Sequence, residues 1–377
     1  MTRLIDELGR MDGVRVVALC GRTVPEVLAA RDDVETLATN FDRSDRTAIR
    51  RLWWEETQLV RWIRESHADI FHATWNTGIP WRCPIPSVLT VHDLIPLHDP
   101  DTHFSSRSQF AAYRHALRSS VARAVRTITV SDHVRRDLSN TLGLVGNRVI
   151  PVHNGVDMPL HRVDDSGSDQ PPFVLHAGGP LPRKNVAAVF RAMDEYCSRH
   201  CESLEVRVTF LEEDLCHEAR RVFRQMRQSK QVRFIGHVDD RVLSEQYTAA
   251  RALLVLSRDE GFGLPVLEAM AHGCPVIAAS NASLPEIVGN AGVLVDPENE
   301  RSVADELHRV IADPAWRDRL VRLGRTRAKR FGWDVCAQRV REVYDIALAA
   351  ASFSQQRQSR IRWGPSRSSQ ARPTVPS

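Results

Sequence analysis

Two carboxylates, Glu260 and Glu268, stand eight positions apart around Gly261-Phe262-Gly263-Leu264-Pro265-Val266-Leu267. The spacing predicts a polar loop with two glycines, then a helix with Pro265 near its first position, where a missing N–H costs nothing. A helix start offers unpaired N–H groups to an anion, and glycines let the backbone approach it closely. The preceding residues, 252–256, form an apolar run of buried-strand length. A strand ending in such a loop suits a phosphate with a hydroxyl-rich group attached.

A second cluster follows the apolar run 173–177. Gly178-Gly179-Pro180-Leu181-Pro182 leads into Arg183-Lys184-Asn185 and a helix-like segment. Glycines beside two adjacent cations suit a diphosphate, because Arg grips two oxygens at once and Lys supplies a point charge. The same residues also fit a solvated basic turn before a helix capped by Asn185. The lysine favours the diphosphate, since only Lys184, Lys230 and Lys329 interrupt a chain that otherwise uses Arg. Further upstream, Val88-Leu89-Thr90-Val91 runs into His92-Asp93. A His at a strand's carboxyl end suits hydrogen bonding to a sugar hydroxyl or steadying developing charge. Taken alone, the pair fits a strand-end His and a turn-forming Asp better. Asp99-Pro100-Asp101 has the outline of a divalent-metal motif, but its central Pro and turn-rich flanks favour a plain turn. Trp53-Trp54, beside Glu55 and Glu56, read as packing, as do Cys197 and Cys201 four apart in a helix-like stretch.

Such turns need strands and helices to hold them. Apolar segments at 14–20, 68–73, 87–91, 126–130 and 148–152 alternate with helix-like stretches at 46–66 and 105–124. A second series, at 173–177, 205–211, 232–235, 252–256, 275–279 and 292–295, alternates with helices near 185–199, 214–228, 240–250, 264–272 and 300–312. Alternation of this kind predicts an α/β chain with two doubly wound parallel-sheet domains. Their boundaries are expected at 1–158 and 173–332, with a linker at 159–172 and a final helix over 333–351. In such folds ligands sit outside the strands' carboxyl ends and between domains.

The 377 residues, 42% hydrophobic and 26% charged, accommodate two such domains. No apolar run approaches the roughly 20 residues of a membrane-spanning helix, and no basic start precedes an apolar segment as in a secretory signal. Seven scattered cysteines without CxxC point to a reduced, cytoplasmic compartment. The net charge of +4 arises mainly in residues 352–377, rich in Ser, Gln, Arg and Pro with a lone Trp363. That stretch is expected to be a disordered, solvated tail, with weak attraction to an anionic membrane surface as the alternative. It does not read as nucleic-acid binding.

Together the pieces resemble a retaining glycosyltransferase of family 4 with the GT-B double-Rossmann fold, over roughly residues 4–350. The most specific part is the run from Glu260 through Glu268 to Ala-Met-Ala-His-Gly-Cys-Pro-Val-Ile-Ala, which matches the family's E-x7-E signature. Pro182-Arg183-Lys184-Asn185 resembles its diphosphate element, and Val91-His92-Asp93 its N-terminal-domain histidine motif. Three further segments are similar to the family: TITVSDHVRRDL from Thr127, Asn154-Gly155-Val156-Asp157, and Ser283-Leu284-Pro285-Glu286-Ile287-Val288-Gly289, followed by Gly292-Val293-Leu294-Val295-Asp296-Pro297. The resemblance implies that Glu268 holds the nucleotide's ribose hydroxyls and Glu260 those of the donated sugar. It further implies that Arg183 and Lys184, beside Gly178 and Gly179, neutralise the diphosphate with help from backbone N–H groups of Phe262–Leu264, with Gly261 also at the donor. His92 lies near the anomeric centre. The expected reaction uses no metal and no other cofactor.

By the same resemblance the chain moves a hexosyl unit, mannosyl from GDP-mannose, to a glycan or lipid-linked acceptor, as polysaccharide and O-antigen mannosyltransferases do. A peripheral place at the inner membrane face follows from a lipid-linked acceptor. Two departures stand out. Leu181 occupies a position where the family usually has an acid, and Met1 falls inside a helix that usually follows a first strand and Gly-rich loop. That leaves a start placed too late, which is the preferred account, or a truncated and impaired chain. The alternatives in function are a GT-B nucleotide-sugar epimerase and an inactive nucleotide-binding scaffold.

Overall fold

The computed structural model describes residues 1–20, 24, 26–29, 34–38, 53–143, 147–159, 171–200 and 204–362. The expected linker therefore lies mostly outside the described residues.

The second domain is a six-stranded parallel sheet, ordered β12-β11-β10-β7-β8-β9. Its strands are β7 (Phe173–His176), β8 (Glu205–Val208), β9 (Val232–Phe234), β10 (Ala252–Val255), β11 (Val276–Ala279) and β12 (Val293–Val295). Every residue of β7, β10 and β11 is buried. This explains their unbroken apolar sequences, since a parallel sheet is covered by helices on both faces. The helices Val186–His200 and Glu300–Ala312 cover one face, and Val189, Phe190, Met193, Val303 and Leu307 pack with Val174, Leu254 and Ile277. Leu264–His272 covers the other face. Strand order reverses between β10 and β7, so a crevice opens beyond their carboxyl ends. The loops at that crevice carry Gly178–Asn185 and Ser257–Gly263.

Among the described residues the strands of the first domain form two parallel sheets. The strands β3 (Phe71–Ala73), β4 (Ser87–Val91), β5 (Arg126–Thr129) and β6 (Val149–Pro151) form one parallel sheet. The strands β1 (Val16–Cys20) and β2 (Val34–Ala38) pair only with each other among the described residues. The helix Thr2–Gly9 joins the two pieces, its Leu4 and Leu8 packing with Val88, Ile128 and Val16.

The final helix, Trp333–Arg362, returns to this first domain, where Cys336, Ala337, Val340 and Val343 enter the same cluster. Half-buried His72 is fixed there by Tyr344 Oη and Thr90 Oγ1, each at 2.7 Å. Burial, reinforced by nearby His92, lowers its pKa to about 3, so the ring is neutral. The helix also runs past Ala351, where a disordered tail is expected. Residues 352–362 contain no Gly or Pro and are rich in Gln and Arg, which favour helix. The first breaker is Gly364, and residues 363–377 lie outside the described part.

The two domains meet at Gly261. A Cβ there would lie 2.2 Å from the His92 carbonyl and 3.0 Å from Asp93 Cβ, so only glycine permits the approach. At Gly179, by contrast, a Cβ would meet nothing within 4 Å. Gly261→Ala is therefore expected to cost about 1–3 kcal/mol through overpacking, and Gly179→Ala less than about 0.5 kcal/mol, in urea unfolding. Equal costs at the two positions would contradict this junction.

Candidate active site

The centre of the crevice is Glu260, only 6% exposed. Burying a carboxylate is costly unless it is paired and hydrogen-bonded. Glu260 is both. Its Oε1 accepts from Lys184 Nζ at 2.5 Å and Ser257 Oγ at 2.8 Å, and its Oε2 lies 3.4 Å from Arg183 Nη1. The cations come from the loop after β7 and the carboxylate from the loop after β10, so the strand crossover brings them together. Pro182–Lys184 forms a single 3-10 turn, and Arg258 N donates to Arg183 O at 2.7 Å to clip the loops together. Asn185 takes a φ of +51°, a conformation Asn tolerates. Its carbonyl, not its side chain, accepts from Ala188 N. A Cβ on Gly178 would sit 3.3 Å from His176 Nε2 and 3.6 Å from Lys184 Cδ.

Gly263 caps Leu264–His272 with a φ of +102° and brings no side chain to the helix start. Phe262 is buried, stacking near His153 and Phe331, so only its backbone serves the loop. Glu268 lies in the second turn of that helix. Tyr247 Oη donates to its Oε2 at 2.9 Å, and His272 Nδ1 approaches its carbonyl at 2.7 Å. Burial raises the Glu268 carboxyl above its ordinary value, with the Tyr247 hydrogen bond opposing.

The first domain supplies the opposite wall. His92 N donates to Asn76 Oδ1 at 2.8 Å, and His92 Nε2 approaches the Thr74 carbonyl at 2.9 Å. That carbonyl can only accept, so Nε2 carries a proton. Burial raises the Asp93 carboxyl, with the Arg183 charge opposing, which places Asp93 near the cation pair. Asp259 faces His98 at 3.6 Å and His133 at 3.8 Å across the cleft. Burial would raise its carboxyl, but the two histidines beside it hold it below its ordinary value.

Sequence reasoning chose Glu260, Glu268, Arg183, Lys184 and His92 by type and strand-end position, and all five border the crevice or its walls. Gly261 packs against the His92 carbonyl, and Arg183 and Lys184 hold the Glu260 carboxylate. The supporting residues Ser257, Tyr247 and Asp259 went unnoticed. Tyr247 looks like core in sequence, and it is core apart from its hydroxyl. Asp99 caps the short helix Pro100–His103 by accepting from Thr102 N, as suits a turn residue.

Comparison with known proteins agrees with this geometry. Residues 1–159 match the model of Glycosyltransferase Family 4, and residues 161–327 match Glycosyl transferases group 1. The O-antigen chain mannosyltransferase B of Escherichia coli is 27% identical over 308 residues, covering 76% of each chain. Sucrose-phosphate synthase from Thermosynechococcus elongatus superposes with a TM-score of 0.73 at 21% identity, covering 92% of each chain. Anabaena HepE, in complex with UDP and glucose, superposes with a TM-score of 0.68 at 19% identity over 91% of this chain and 95% of its own. The two family models tile both domains, and the sheet order, the crevice and the superpositions agree with them. The chain belongs to glycosyltransferase family 4 and is a glycosyltransferase of GT-B fold.

Proposed function

We propose that the chain transfers a mannosyl unit from GDP-mannose to a glycan or lipid-linked acceptor, with retention at the anomeric carbon and without a metal. The observation that carries this reading is the Lys184–Glu260–Arg183 cluster at the strand crossover. Two cations already converge there on a negative oxygen group, the geometry a diphosphate leaving group needs. On donor binding, Lys184 and Arg183 turn to the diphosphate, and its growing charge as the glycosidic bond breaks strengthens both contacts. N–H groups at the Leu264–His272 helix start face the same anion. Their combined charge does the work a divalent ion would otherwise do. Glu260, released from Lys184, accepts from hydroxyls of the transferred sugar.

Glu268, held through one oxygen by Tyr247, turns the other to the ribose. His92 and Asp93 wall off the sugar from the first domain's side. Retention fits a route in which the acceptor oxygen enters on the face the diphosphate leaves, the departing phosphate oxygen taking its proton. The mannosyl choice leans on the similarity to an O-antigen mannosyltransferase. For a lipid-linked acceptor, Trp53 and Trp81, each 61% exposed, offer amphipathic rings of the kind found at membrane surfaces. No described helix is long and apolar enough to cross a membrane.

Lys184→Ala is expected to lower turnover of GDP-mannose about 100-fold or more, the scale for losing a preorganised charge contact, in a protein that still folds but melts at a lower temperature because Glu260 loses its nearest cation. Wild-type-like turnover would remove Lys184 from the reaction. Glu268→Gln is expected to weaken donor binding by about 10-fold or more, read by titration calorimetry, and an unchanged affinity would put the ribose elsewhere. In a thermal-shift panel GDP-mannose should stabilise the protein above UDP-sugars. Selective stabilisation by a UDP-sugar would reassign the donor.

A further inference from the structure

Three segments singled out in the sequence have no part in donor chemistry: Thr127–Leu138, the stretch around His153-Asn154-Gly155, and Ser283–Gly289. The fold brings all three to one carboxylate. Glu286, on the short helix Leu284–Val288 of the second domain, reaches the first domain. Its Oε1 accepts from Asp132 N at 2.9 Å and its Oε2 from His133 N at 3.2 Å, the first N–H groups of the helix Asp132–Leu142. His153 Nε2 lies 2.6 Å from Oε1. The two amides belong to a helix start, where N–H groups otherwise lack partners and the helix dipole favours a negative charge.

Both ends of this contact are anchored. Arg327 donates to the Glu286 and Ile287 carbonyls, at 2.6 and 3.0 Å, fixing the helix that carries the carboxylate. Ser131, fully buried, caps Asp132–Leu142 through Val134 N, and its Oγ donates to the Gly261 carbonyl at 2.7 Å. Ser283 Oγ, three residues before Glu286, donates to the carbonyls of Glu260 and Phe262 at 2.8 and 2.9 Å. The contact that joins the domains is thus tied by single residues to the loop holding Glu260.

We propose that Glu286 is a positioning residue, a latch that closes the first domain's Asp132–Leu142 helix onto the second domain and so sets the Glu260 loop for transfer. Its effect on turnover rests on the function proposed above, whereas its effect on domain closure does not. Without the latch, the closed form is a smaller fraction of the molecules, and apparent donor affinity falls in proportion.

The test compares wild type, Glu286→Gln and Glu286→Ala without ligand and with GDP-mannose. X-ray scattering should give a larger radius of gyration for unliganded Glu286→Ala, with Glu286→Gln between it and wild type. Hydrogen exchange at Asp132 and His133 should speed up in the same order. With GDP-mannose, kcat/KM should fall about 10- to 100-fold, mostly through KM, and saturating donor should restore much of the rate. A merely structural role would lower the melting temperature without this KM-weighted loss or the change in scattering. Unchanged scattering in both variants overturns the latch. If Glu286→Ala fails to fold, Glu286→Gln alone decides by the same readings. Loss of all activity in wild type with normal scattering differences defeats the proposed function and leaves the latch standing.

Discussion

A carboxylate buried at the crossover of two strands organises this molecule. Glu260 sits where water cannot solvate it, so it must be paired. Its partners, Lys184, Arg183 and Ser257, arrive from two loops that only the reversal of strand order brings together. The pairing explains several otherwise separate features. The loop after β7 ends in a tight turn because both cations must point back over the sheet. Ser283 braces the Glu260 backbone from behind because a mobile loop would let the charge escape to solvent. In the proposed reaction the donor's diphosphate takes this carboxylate's place on the two cations.

The first domain enters this arrangement through one backbone carbonyl and several polar side chains. The His92 carbonyl rests on Gly261, Ser131 Oγ reaches the Gly261 carbonyl, and Asp259 faces two histidines. None of these contacts is large. Together they make the geometry of the Glu260 loop depend on how the domains sit, which suits an enzyme that assembles its site as the cleft closes. Dynamics and chemistry then share the same residues.

Much of this was legible in the chain. Strand positions followed from short apolar runs, and β4 from its all-buried sequence 87–91. The E-x7-E spacing and a lysine in an Arg-rich chain single out the two loops that meet at the strand crossover. Pairings across long sequence separations were not legible. Charge type marks Lys184 and Glu260 as candidates, but not as each other's partners. Gly261 reads as a glycine for a ligand, whereas in the fold the crowding atom is a carbonyl from the other domain. Tyr247 hides among apolar neighbours, since a core position and a phenol that orients Glu268 have the same sequence signature. Which strands pair among the described residues was equally invisible, because alternation predicts strands and not which edges meet.

The central claim is that Glu260 occupies the diphosphate's cations until the donor arrives and then serves the sugar. Titration calorimetry of GDP against wild type and Glu260→Gln, alongside mannosyl transfer by the same samples, tests it most directly. The claim predicts that Glu260→Gln binds GDP at least as tightly as wild type, because the cations no longer have a competing carboxylate, while transfer is lost. GDP affinity that falls in step with transfer would contradict it.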